Sequence, residues 1–218
     1  MGGQTNKTIE NLALKLGDYR SLDPTERHFF LLWAITRAVG ILGGKRPILV
    51  GGGAVEFYTG MRFATWDLDL ITPSEELTKE ALKELGFQES EEDNLYVNRN
   101  IGALVHLHGE RLWSNETTVE VIYRKVPLLL VAPEDCIVER LTAYRRYGSS
   151  LDFLNAFLIA YHNADRLDVA HLQERIGALD LWEYYRPIQH ISRGLICHFT
   201  GVDEAASELI HFLKREPN

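Results

Sequence analysis

The chain has few of the features that mark secreted, membrane-spanning or zinc-finger proteins. Its two cysteines, Cys136 and Cys197, are far apart and have no CxxC or Cys/His ligand spacing. No stretch approaches the roughly 20 apolar residues that cross a bilayer. The N-terminus lacks the basic start and continuous apolar core of a secretory signal. We therefore expect a soluble, reduced, cytoplasmic protein without a membrane partner.

Acidic residues outnumber basic residues in the chain. The chain has 23 Lys and Arg against 31 Asp and Glu, a formal net charge of -8. This negative net charge argues against broad, non-specific nucleic-acid binding. A local basic stripe is still compatible with the net charge. With 45% hydrophobic and 25% charged residues in 218, the composition is that of a globular protein with a real core.

The sequence changes character near residues 132–136, "APEDC". Before this point, segments of strand and helix periodicity alternate; after it, every segment has helical periodicity. We therefore predict an α+β protein with two domains. Residues 1–131 form an α/β domain with a mixed sheet flanked by helices, and residues 1–44 supply its N-terminal helices. Residues 132–218 form a helical domain, expected to be a C-terminal bundle that makes the other wall of a cleft.

Capping residues and alternation locate the main elements. Asp23 and Pro24 begin a long buried helix that Gly43 and Gly44 end, and Gly86 ends a second helix. Strands are predicted for "RPILV", "ATWDLDLIT", "LYVNR", "ALVHLH", "TTVEVIY" and "PLLLVA". Five helices are predicted after residue 132, the last of them "DEAASELIHFLKRE" at residues 203–216.

Three consecutive glycines, Gly51, Gly52 and Gly53, join the first strand to a short helix. Glycines at a strand end leave backbone N–H groups uncovered, and the helix N-terminus adds partial positive charge. An anion such as a triphosphate is the natural occupant of such a turn. The alternative is a tight turn that binds no ligand, and a triple glycine considered by itself is more often such a turn.

The next strand carries Asp67 and Asp69 on one face, with Trp66, Leu68 and Leu70 expected on the other. Two such carboxylates, about 6.6 Å apart along a strand, suit Mg²⁺, which prefers carboxylates together with phosphate oxygens. A solvated strand end is the alternative.

A third carboxylate would strengthen the site. Glu120, placed mid-strand in "TTVEVIY", is the candidate. Two Mg²⁺ ions held in this way would bind both the attacking and the leaving oxygens of a phosphoryl-type displacement. Arg62 and Thr65 are suited to contacting phosphate or to fixing the strand.

This order of residues resembles the signature of the DNA polymerase β-like nucleotidyltransferase superfamily. The match is to its small prokaryotic branch, which often has GG-x-A, then R-x-x-T, then D-h-D. Those elements are here Gly51, Gly52, Ala54, Arg62, Thr65, Asp67 and Asp69. "VEVIY" is similar to the strand of the third carboxylate, and "APEDCIVERLTAY" to the helix that follows. The resemblance covers roughly residues 45–160.

The resemblance implies a nucleotidyltransferase-type fold and transfer of a nucleoside monophosphate from NTP to an acceptor hydroxyl, which releases pyrophosphate. It implies that Gly51 and Gly52 hold the triphosphate, that Asp67 and Asp69 bind Mg²⁺, and that Glu120 completes the metal site and helps deprotonate the acceptor. The family often has aspartate at the third position, and glutamate reaches further. Some members are toxins of toxin–antitoxin pairs that modify tRNA, so the expected acceptors are tRNA, a protein or a small molecule. An antitoxin would be a partner of such a toxin.

Two further residue pairs have open interpretations. His106 and His108 share a strand face and would bind metal or shuttle protons, but without a matched third ligand a plain polar face is favoured. Arg140 and Tyr144 lie on one helix face and would contact ligand in the cleft, or simply pack and be solvated. Two rivals to an enzyme remain open: a non-catalytic nucleotide-binding homologue, and a structural homologue that binds neither metal nor NTP.

Overall fold

The protein is an α+β chain with a mixed seven-stranded sheet. The structure is a computed structural model and describes residues 2–60, 65–113 and 115–198. The helices in this part are α1 Gly2–Leu16, α2 Pro24–Ile41, α3 Gly51–Tyr58, α4 Glu75–Glu84, α5 Pro133–Tyr147, α6 Ser150–His162, α7 Val169–Ala178 and α8 Trp182–His198. A short 3-10 helix, Gly17–Ser21, joins α1 to α2. The predicted helix at residues 203–216 lies outside the described residues.

The strands are β1 Ile48–Leu49, β2 Asp67–Ile71, β3 Gln88–Glu89, β4 Leu95–Asn98, β5 Ala103–Leu107, β6 Thr118–Tyr123 and β7 Val126–Val131. Their order across the sheet is β3-β4-β5-β2-β1-β7-β6. β2 pairs parallel with β5 and antiparallel with β1, and β1 pairs parallel with β7. The remaining pairs are antiparallel. The strand not predicted is β3, because its two exposed residues show no alternation.

The chain divides into two compact units. One comprises Met1–Phe57 with Met61–Val131, and the other comprises Tyr58–Gly60 with Ala132–Asn218. The first contains the whole sheet and the helices from α1 to the main part of α3, together with α4. The second contains α5 to α8. None of the described helices is long and apolar enough to cross a membrane.

The core of the first unit is built on β2 and α2. Leu68 and Leu70 of β2 are completely buried, while Asp67 and Asp69 on the opposite face are partly exposed. α2 begins at Pro24 as predicted and buries most of its apolar residues. The expected placement of Trp66 beside the two leucines is wrong. β2 begins at Asp67, so the alternation does not include Trp66, which is 90% exposed.

The second unit contains the two residues predicted as contacts in a cleft. Arg140 donates from Nη1 to Asp152 Oδ1 at 3.0 Å. Tyr144 packs its ring against Phe153 and Tyr184, with centroids 4.9 and 5.6 Å away. These contacts join α5 to α6 and α8. Both side chains therefore have hydrogen-bond or packing partners within this unit.

Candidate metal and nucleotide site

The glycine turn and the aspartate strand meet at Asp69. The backbone N–H of Gly52 donates to Asp69 Oδ2 at 3.1 Å, and the N–H of Val50 donates to the Asp69 carbonyl at 3.0 Å. The antiparallel pairing of β1 with β2 brings these groups together, since Leu49 lies opposite Leu70. Residues 17 positions apart in sequence therefore form one site at the start of α3.

Each glycine of the turn has a neighbouring side chain close to where a Cβ would lie. Gly51 has φ +55°, and a Cβ there would lie 2.3 Å from Asp69 Oδ2. A Cβ on Gly52 would lie 2.7 Å from Thr65 Oγ1, and one on Gly53 would lie 2.8 Å from a methyl carbon of Leu49. Real Cβ contacts of this length do not occur. A side chain at Gly51 or Gly52 would therefore displace Asp69 or Thr65, whereas one at Gly53 would require the side chain of Leu49 to shift.

Asp67 is held by Thr65. The Thr65 hydroxyl donates to Asp67 Oδ1 at 2.8 Å, and the Thr65 N–H makes a long contact of 3.5 Å with Glu56 Oε2. Of the two roles predicted for Thr65, fixing the strand is therefore the one seen. Arg62, predicted to contact phosphate, lies outside the described residues.

Two histidines lie beside Asp69. His106 on β5 is the register partner of Asp69 in the parallel pair β2–β5. His108 follows on the same face, and its Nε2 lies 2.7 Å from Asp69 Oδ1. The two imidazole rings are 4.2 Å apart between centroids. Asp69, on the neighbouring strand, is therefore a third side chain with a metal-donor atom beside the two histidines.

One donor atom from each of Asp69, His106 and His108 lies within 4.8 Å of the other two. In the described part of the chain, this is the one group of three such side chains close enough to share a metal ion. The side chain of Asp69 is 15% exposed and that of His108 is 41% exposed, so solvent reaches the group.

The prediction that Glu120 completes the metal site needs correction. Glu120 lies on β6, which is separated from β2 by β7 and β1. With strands spaced about 4.8 Å apart, the two strands are about 14 Å apart, further than a glutamate side chain spans. Glu120 instead accepts a hydrogen bond of 2.7 Å from Arg46 Nη1 at the surface. The position next to Asp69 that a third acid would need is occupied by His106.

A cavity of about 550 Å³ adjoins the site and contains residues that the sequence reasoning missed. At its inner wall, His28 Nδ1 lies 2.8 Å from Glu56 Oε2, and both side chains are buried. Burial raises the pKa of Tyr19 in the same wall, against the opposing charge of Arg27. The described residues that line the cavity are Tyr19, Arg20, Arg27, His28, Glu56, Thr65, Trp66, Ile101 and Gly102.

Comparisons of the chain with protein-family models, with curated proteins and with solved structures find no match. The function of the site is therefore inferred from its own residues and their geometry.

Proposed function

We propose that the protein is a Mg²⁺-dependent nucleotidyltransferase with a nucleotidyltransferase-type sheet. It moves a nucleoside monophosphate from NTP to a hydroxyl group of an acceptor. The observation that carries this proposal is the contact between the glycine turn and Asp69. An anion-binding helix start and a cation-binding carboxylate have to lie side by side if a triphosphate and its metal ion bind together.

The two carboxylates are of the kind that binds Mg²⁺. Asp67 and Asp69 present carboxylate oxygens from the same face of β2, and both are partly exposed. Mg²⁺ is commonly bound by one or two carboxylates together with substrate phosphates and waters. When bound, the ion would neutralise phosphate charge during transfer. Thr65 and the N–H of Gly52 hold the two carboxylates in place.

The adjoining cavity supports a nucleotide as substrate. Trp66 at its edge is 90% exposed, so a base has an open aromatic face on which to stack. Arg20 and Arg27 add two cations to the lining. Thr65 lines the cavity and also contacts Asp67, so a nucleoside lying there would have its phosphates directed to the aspartates.

Calorimetric titration with each of the four NTPs, with and without Mg²⁺, tests the proposal. We expect binding that requires Mg²⁺ and is lost in the double variant Asp67→Asn/Asp69→Asn. Asn preserves the side-chain shape and an oxygen that accepts the Gly52 hydrogen bond, so the fold should persist. Asp93→Asn, an exposed aspartate in the loop before β4, is the matched control. NTP binding that is unchanged in the double variant would contradict the proposal.

The position of Glu120 favours a second candidate, a nucleotide-binding protein without transferase activity. Two of the three carboxylates that the resemblance implied share one face of β2, whereas the third lies on β6, away from β2. Incubation with α-labelled NTP in cell extract separates the candidates. Pyrophosphate release with label on an acceptor supports the transferase, which includes the toxin form with tRNA, protein or small-molecule acceptors. Mg²⁺-dependent binding without release supports the binding protein.

A further inference from the structure

We propose that Asp69, His106 and His108 bind a first-row transition-metal ion of the Zn²⁺ type, more tightly than they bind Mg²⁺. The inference shares Asp69 with the proposed function, but it requires neither a nucleotide nor a transfer reaction.

The donor set decides the class of metal. Two imidazole nitrogens and one carboxylate oxygen suit Zn²⁺, Co²⁺ and related ions, whereas Mg²⁺ prefers oxygen ligands and keeps its waters. Three protein ligands also leave a coordination position open for water or a substrate oxygen, as in catalytic zinc sites.

The backbone already positions the three side chains. Asp69 and His106 are opposite each other on β2 and β5. The parallel ladder continues past the end of β5, because the N–H of His108 donates to the Leu70 carbonyl at 2.8 Å. All three side chains therefore project from one face of the sheet, where rigid strands fix their spacing.

The distances need little adjustment. Ligands of a tetrahedral ion with bonds of about 2.0–2.1 Å are about 3.3 Å apart. The three donor atoms are within 4.8 Å of one another, and His108 Nε2 already lies 2.7 Å from Asp69 Oδ1. An ion between these two atoms requires the His108 side chain to move, and this side chain is 41% exposed.

The carboxylate also has an outer partner. Asp69 uses Oδ1 toward His108, and its second oxygen accepts the N–H of Gly52. Metal-binding carboxylates are usually hydrogen-bonded in this way, and the hydrogen bond orients the ligand before the ion arrives. Residues on β2, β5 and α3 thus all contribute to one preformed metal site.

Titration of the untagged full chain with ZnCl₂ and CoCl₂, in the absence of nucleotide, tests the inference. We expect one ion per chain, retained in the presence of excess Mg²⁺. Affinity should fall by at least about 100-fold in His106→Ala and in His108→Ala, because each removes one of three ligands. His190→Ala, which removes an exposed histidine of α8, should bind like the wild type. Zn²⁺ affinity unchanged in both ligand variants, or no binding at one equivalent, would overturn the inference.

Two further variants make the result independent of folding and of the nucleotidyltransferase proposal. His108→Cys supplies a thiolate ligand, so its Co²⁺ complex should gain a sulfur-to-metal charge-transfer absorption. Absence of that absorption in the folded variant counts against the site. Asp67→Asn should weaken Mg²⁺-dependent NTP binding yet leave Zn²⁺ affinity unchanged, because Asp67 is not in the three-residue group. If the nucleotide proposal fails, Zn²⁺ binding should therefore still be observed, so the two failures can be distinguished.

Discussion

At the scale of single residues, Asp69 connects the parts of the site. One carboxylate oxygen accepts the N–H of Gly52, and the other lies against His108. An ion that binds at Asp69 has to insert beside His108, while the Gly52 contact can persist and keep the carboxylate oriented. The geometry of the glycine turn therefore determines how well the proposed metal ligand, Asp69, is positioned.

Replacement of Gly51 by alanine tests this dependence. Gly51 has φ +55°, where a residue with a Cβ costs about 1–2 kcal/mol, and the new methyl would lie 2.3 Å from Asp69 Oδ2. We expect the free energy of unfolding to fall by at least about 1–2 kcal/mol, and binding of Zn²⁺ and of Mg²⁺-NTP to weaken because Asp69 is displaced. Urea denaturation and calorimetry measure the two effects.

Gly40→Ala is the matched control for that substitution. Gly40 lies in α2, has an ordinary backbone conformation, and a Cβ there would meet nothing within 4 Å. Alanine should stabilise the helix by about 0.5–1 kcal/mol without changing metal binding. Equal effects of the two substitutions would show that the Gly51 turn is not specifically adapted to Asp69.

At the scale of elements, the hairpin of β6 and β7 has an unusual turn. Tyr123 pairs with Val126, so the loop has two residues, Arg124 and Lys125, with φ of 47° and 64°. Two-residue loops with both φ values positive usually contain Asn and Gly. Arg124 is nevertheless fixed by its contact with Glu26 on α2. Tyr123 donates to the same carboxylate; burial, followed by this hydrogen bond, raises the pKa of Tyr123 to about 12.

Lys125→Gly should stabilise the hairpin, because Lys125 adopts the left-handed conformation, which is strained for a residue with a Cβ. Relief of this strain is worth about 1 kcal/mol after the entropy cost of glycine. Thermal denaturation should show the gain. Lys125→Ala removes the same charge but keeps a Cβ, so it separates strain from electrostatics. A gain of the same size with alanine would mean that the lysine charge, not the backbone conformation, is responsible.

Strand pairing also explains which part of the site the sequence could predict. Alternation with a period of two correctly places Asp67 and Asp69 on one face of β2, and it gives no information about which strand lies beside β2. Chain order made Glu120 the natural third acid, but the sheet places β5 next to β2 and β6 three strands away. The pairing of Asp69 with His106 depends on contacts between distant segments.

At the scale of the whole molecule, the general architecture was more predictable than the site. Caps and periodicity are local properties, so α2 and most of the strands could be located from the sequence alone. The buried pair of His28 and Glu56 was missed, because its members come from two helices that only the fold brings together. A charged residue in the apolar helix segment "GGGAVEFY" was the available signal, since a glutamate is rarely buried without a partner.

The location of bound metal can be tested across the whole chain by hydrogen exchange. The second unit offers a competing ligand pair, because His171 Nε2 lies 3.4 Å from Asp135 Oδ2 between α7 and α5. If Zn²⁺ binds Asp69, His106 and His108, protection should rise in β2, β5 and the first turn of α3. Ligand at 100 times its Kd adds about 2.7 kcal/mol, so amides that exchange through unfolding of this unit should slow by about 100-fold.

The same experiment includes its own control. His106→Ala with Zn²⁺ should exchange like the metal-free wild type in β2 and β5, because one of the three ligands is gone. Protection that rises in α7 instead, and persists in His106→Ala, would place the ion at His171 and Asp135. Protection confined to β2, β5 and α3 would show that strands paired only through the fold act as a single metal-binding unit, since no segment of the chain carries all three ligands by itself.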